Sequence, residues 1–160
     1  MLVGMDAHLH EVNTNEMTAF HLSILYGHFF LTHYYMTLPG IELYLENEEN
    51  VHETLKIACR LGNIETFRLI AKYIRNWEYS GKDSYTILHY ICGCGFTSIY
   101  DDVIGKCINL IRNSKNKSLE TPLHWAVANH NIEIVAKLIE TYETNGFSFD
   151  AENIVSSKPV

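Results

Sequence analysis

The sequence predicts an all-α fold, a solenoid of about four helix-turn-helix repeats. Three observations predict it. Segments 18–27, 53–62, 86–95 and 121–130 resemble one another, with offsets of 35, 33 and 35 residues between their starts. Thr18, Thr86 and Thr121 open three of them with a side chain that can accept a hydrogen bond from an otherwise orphan helical N–H. A second amphipathic segment follows the first at matching positions, so each unit has an apolar face too large to leave wet. At about 1.5–3 kcal/mol per buried large side chain, stacking on a neighbouring unit is the natural solution.

In the fourth copy, Pro122 stands where the first helical residue lacks a partner for its N–H anyway. Leu123, Ala126 and Val127 then recur at the three- and four-residue spacing of a buried stripe. Gly27, Gly62 and Gly95 end the first helix of their copies, where a left-handed backbone is useful, whereas His130 replaces that glycine and predicts a strained or altered turn. The second helices read as Ile64, Phe67, Ile70, Ala71 and Ile74 in one copy and Ile132, Val135, Leu138 and Ile139 in another. In the first copy the second helix spans about 29–38 and stops at Pro39-Gly40, with a further helical turn over 41–45. The second copy opens weakly, with Glu53 for Thr and Lys56 for His, but Asn63-Ile64-Glu65 recurs as Asn131-Ile132-Glu133. The third carries extra residues at about 96–102 before the apolar pattern resumes over 103–111.

Composition narrows the function. The chain is 47% hydrophobic and carries a net charge of −7, which argues against a nucleic-acid binder that tracks phosphates with a basic face. No apolar run reaches the ~18 residues of a membrane span, and the first residues lack the basic and apolar regions of a signal peptide. Cys59, Cys92, Cys94 and Cys107 show no C-x-x-C spacing and read as reduced packing residues.

A period near 33 residues with a Thr-Pro-Leu-His start, intact at 121–124, resembles the ankyrin repeat. The resemblance covers about residues 14–150. It implies repeats at 14–48, 49–81, 82–116 and 117–149, a cap or tail at 1–13 and a partial cap or tail at 150–160. It also implies that His21, His89 and His124 are structural, bonding turn backbone and the capping Thr, rather than metal ligands.

The chemical alternatives are weak. Asp6, His8 and His10 offer few ligands for a metal. His89 and Cys92 lie one helical turn apart, but both fall on structural positions of the repeat. No phosphate-binding glycine loop, dinucleotide fingerprint, serine-nucleophile elbow or zinc-protease motif is present. The expectation is therefore no enzyme and no cofactor or metal.

Ankyrin proteins bind partners through hairpin tips and the exposed, concave face of their first helices. Carried over copy by copy, that surface comprises Thr14, Asn15, Met17, Leu25 and Tyr26 in the first repeat and Glu49, Asn50, His52, Arg60 and Leu61 in the second. It continues with Lys82, Asp83, Tyr85, Gly93 and Cys94 in the third and Lys117, Ser118, Glu120, Ala128 and Asn129 in the fourth. Residues 46–50 read as an acidic loop or lip toward a basic partner, Asp101-Asp102 as a solvated insertion, and Trp77 and Tyr79 as either anchors or packing. The short, divergent repeats also resemble viral IκB-like ankyrin proteins. That resemblance implies retention of an NF-κB/Rel transcription factor in the host cytoplasm. No nucleic-acid or membrane partner is expected, and a monomer is favoured with the oligomeric state left open. An adaptor or effector recruiting a host protein to a ligase or scaffold is the alternative.

Overall fold

The computed structural model describes residues 9–147. The expectations for Asp6 and His8, for most of the N-terminal cap and for the partial cap at 150–160 lie outside the described residues. Within them the chain is helical, with two isolated bridges and no strand. No described helix is long and apolar enough to cross a membrane. The chain divides into two compact units, one ending at Arg75 and one beginning at Asn76.

The first unit holds α1 (Ala19–Leu25), α2 (Phe29–Met36), α3 (Ile41–Tyr44), α4 (Glu48–Leu61) and α5 (Ile64–Ala71). Helices α1 and α4 pack together, with α2 and α5 behind them. Leu9, Phe20, Ile24, Ile41, Leu45, Leu55, Phe67 and Ile70 are buried between them. The second unit holds 3-10 turns at Lys82–Ser84 and Ile104–Lys106. Its helices are α6 (Ile87–Cys94), α7 (Thr97–Val103), α8 (Ile108–Asn113), α9 (Pro122–Ala128) and α10 (Ile132–Thr144). Here α6 packs on α9 while α7 and α10 flank them, around Leu88, Ile91, Ile99, Ile111, Ala126, Ile134 and Leu138.

The caps form as the residue types require. The Thr18 and Thr121 hydroxyls each accept from the backbone N–H of the His three residues on. The ring of that His returns the bond: the N–H groups of Thr18, Thr86 and Thr121 donate to Nδ1 of His21, His89 and His124 at 3.4, 3.1 and 3.1 Å. A capping box with histidine at its third position satisfies two orphan donors at once. His130 adopts a left-handed φ of +58°, close to the +67° and +70° of Gly27 and Gly62. Its turn keeps the hydrogen bonds of the glycine turns, so the geometry is unaltered and only the strain of a side chain in that region remains.

Four expectations need correction. Residues 96–102 are not an insertion: α7 starts two residues after Gly95, just as α5 starts two after Gly62, and the extra residues come later, in the 3-10 turn and α8. Asp101 therefore lies on a helix, where it accepts from Lys137 Nζ at 2.7 Å. Of residues 46–50, Glu46 and Asn47 lie in a turn, but 48–50 are helical rather than loop. With Glu53 in place of the capping Thr, the helix runs back to Asn47, whose Oδ1 accepts from Glu49 N–H at 2.8 Å, and Glu48 and Glu49 sit at its positive N-terminal end. Leu123 is half-buried, unlike Leu55 and Leu88, because it lies in the last described repeat. Finally, the core residues of α10 are Ile134, Leu138 and Tyr142, while Ile132 is 79% exposed and Ile139 39% exposed.

Candidate functional site

The residues proposed from the repeat pattern separate into three groups. His52 is buried, and Asn50 donates to the Tyr44 carbonyl at 2.9 Å, so both serve the packing of α4 rather than a surface. Glu49, Arg60 and Leu61 are exposed on α4. The acidic lip is largely engaged: Glu46 pairs with Arg75 at 3.2 Å, and Glu48 accepts from Arg75 N–H at 2.9 Å. In the first repeat Thr14, Asn15 and Tyr26 are exposed, and Met17 and Leu25 are half-buried. Asn13 Oδ1 holds that turn by accepting from the N–H groups of Asn15 and Met17.

The second unit brings its predicted residues together. The turn around Lys82 and Asp83 is closed by a bond from Gly81 N–H to the Tyr85 carbonyl at 2.9 Å. Asp83 accepts from Lys117 twice, from Nζ at 2.8 Å and through its carbonyl from the backbone N–H at 2.9 Å. The two loop tips are thus tied side by side. In the next turn Asn116 Oδ1 accepts from Ser118 and Glu120 N–H, both at 2.9 Å. Glu120 Oε2 accepts from Asn116 Nδ2 at 2.8 Å and from Trp125 Nε1 at 3.1 Å, and the Asn116 bond in particular holds its carboxyl below the usual range. Glu120 positions its neighbours and has little left for a partner.

The residue that sequence reasoning missed is Trp125. Half-buried on α9, its ring meets Tyr85 edge-on at 4.8 Å and Tyr90 at 6.2 Å. Gly93 is its seat, since a Cβ there would come within 2.7 Å of the indole. Gly93 is therefore needed for the packing of the indole. Asn129, exposed, donates to the Trp125 carbonyl at 2.8 Å. Beside them stand exposed Ala128 and half-buried Cys94. The signal was available: Tyr90 and Trp125 each follow the repeat histidine, at the same position in adjacent copies.

Trp77 and Tyr79, outside this cluster, are both half-buried. Lys106 Nζ lies 5.0 Å above the Trp77 ring, and Tyr79 sits in the same connection.

The histidines hold the repeats together. His21 Nε2 bonds Thr54 Oγ1 at 3.1 Å, and His89 Nε2 donates to the Glu120 carbonyl at 3.0 Å, so each ring joins two consecutive repeats. Burial lowers all three, His21 to about 4, with His89 and His124 below their usual range. Both ring nitrogens of His89 are engaged, and burial pushes the Cys92 thiol well up, so the pair does not form an activated nucleophile. Among the described residues no group of three or more His, Cys, Asp or Glu could hold a metal.

A family model described as ankyrin repeats (three copies) matches residues 55–152, more than half of the chain. No curated protein matches it.

Proposed function

Given that the chain belongs to the ankyrin-repeat family, a family of protein–protein interaction modules, we propose that its partner docks on the second unit. The docking face is the exposed side of α9 with the tied loop tips beside it. One observation carries this reading: Tyr85 and Trp125 form a half-buried aromatic platform among exposed Lys82, Asp83, Lys117, Ser118 and Asn129. Rigid aromatics ringed by polar groups have the composition of binding hot spots. The Trp125–Glu120 and Gly93 contacts fix the indole before any partner arrives, which lowers the ordering cost of binding.

For the partner, we propose a basic segment of a Rel-type transcription factor, held in the cytoplasm in the manner of an IκB-like inhibitor. The net charge of −7 favours approach of a basic partner at long range, while the face itself is mixed, with Lys82 and Lys117 beside Asp83. The test is titration of the purified chain against Rel-homology regions. Binding that weakens at least tenfold in Trp125→Ala and in Ala128→Arg supports both the face and the partner. Ala128 is exposed, so that variant keeps the fold intact. No binding to any Rel protein removes the partner assignment and leaves an adaptor role, with a different protein on the same face.

A further inference from the structure

Helix α2 departs from the amphipathic pattern of the other second helices. Its sequence, FFLTHYYM, is apolar or aromatic nearly all round, yet Thr32 is its only buried residue. A helix hydrophobic on every side is normally covered on every side. Phe30 is 89% exposed and Tyr34 59%, one turn apart on α2, and Tyr26, 68% exposed, stands in the turn before the helix. Taking about 200 Å² for a full aromatic side chain, they alone present about 400 Å². That is half of the ~800 Å² each partner contributes to a standard stable interface, and exposed Leu31 and Phe29 extend it. Alongside runs a groove of about 280 Å³ between α2 and α5, with Phe29 and Thr32 on its α2 wall and the charged Glu65, Arg68 and Lys72 on the other.

Charge identifies the occupant. Residues 17–41 contain no Asp, Glu, Lys or Arg, in a chain whose net charge is −7. A two-fold contact sets one patch against the same patch of the other copy, so a face carrying the acidic surplus repels itself, whereas an uncharged aromatic face does not. We propose that the chain forms a two-fold dimer through the outer face of α2, with Phe30 and Tyr34 of one copy against those of the other. This face lies on the first unit and does not use the platform of Tyr85 and Trp125. The inference therefore stands independently of the partner assignment.

Analytical ultracentrifugation of the full chain over a range of micromolar concentrations tests it. The expected parent mass is twice 18.4 kDa, falling toward 18.4 kDa on dilution. Phe30→Asp and Tyr34→Asp should each shift the dimer to monomer at the same concentrations, with helical circular dichroism and melting unchanged because both side chains are exposed. Ile132→Asp, an exposed apolar position on the other unit, should leave the dimer intact. A parent that is monomeric throughout overturns the proposal, as does a dimer that survives both α2 substitutions or dissociates equally in Ile132→Asp.

Discussion

Repeats one and two meet differently from repeats three and four. In the second unit every device of the motif is present. His89 reaches the Glu120 carbonyl, Lys117 bonds Asp83, and Asn131 Nδ2 donates to the carbonyls of Cys92 and Gly93, both at 2.8 Å. In the first unit only His21 makes the equivalent reach, to Thr54. The connecting turn before the second repeat is replaced by one long helix, α4, capped by Asn47. The difference teaches what the Thr and His of the motif do. The Thr side chain stops the helix and the His ring holds the turn that follows the stop. With Glu53 and Lys56 in their places, the helix extends backwards to the next residue able to cap it.

The largest effect that sharpens this comparison is in the cores. Leu55→Ala and Leu88→Ala, both at fully buried positions, should each cost about 2–5 kcal/mol. Leu123→Ala, half-buried, should cost about 1 kcal/mol in proportion to the smaller area it hides. Urea unfolding of the three variants checks the order.

Acid is the next probe. Burial lowers His21 to about 4 from 6.5, so between those values the unfolded chain binds a proton that the folded chain refuses. Stability therefore rises with pH across that window and falls as pH drops from 6.5 to about 4, levelling below for this group. At about 1.4 kcal/mol per pH unit, His21 contributes about 3 kcal/mol of that loss. His89 and His124 act in the same direction. His21→Asn should flatten the slope of denaturation midpoint against pH in this range, and an unchanged slope would count against the assignment.

Two smaller substitutions probe the helix ends. Asn47→Ala should cost about 1 kcal/mol, because α4 depends on that cap where the other repeats depend on Thr. His130→Gly should raise stability by about 1 kcal/mol by relieving a left-handed backbone at an exposed residue. Both are read from thermal melts.

Much of the fold was legible from residue spacing, since Thr18, Thr86, Thr121 and the glycines at 27, 62 and 95 mark helix ends by local hydrogen bonding and backbone geometry. What was not legible depends on neighbours. The exposure of Ile132 and the half-burial of Leu123 depend on what packs beyond α9 and α10, which periodicity does not encode. The extension of α4 needed the competition between two N-terminal caps to be weighed, Asn47 against a missing Thr. For the site, the offsets located Lys82, Asp83, Tyr85 and Lys117 on one surface. They did not reveal that His52 is buried, or that Asn50, Gly93 and Glu120 are also engaged with Tyr44, Trp125 and Asn116.

A partner docks on the exposed side of α9 and the loop tips beside it. Hydrogen–deuterium exchange of the chain with and without its bound partner tests this most directly. The account predicts slowed exchange in the turns at 80–86 and 116–121 and along α9, with α7 and α10 unaffected. Protection confined to α7, α10 or the first unit would contradict it.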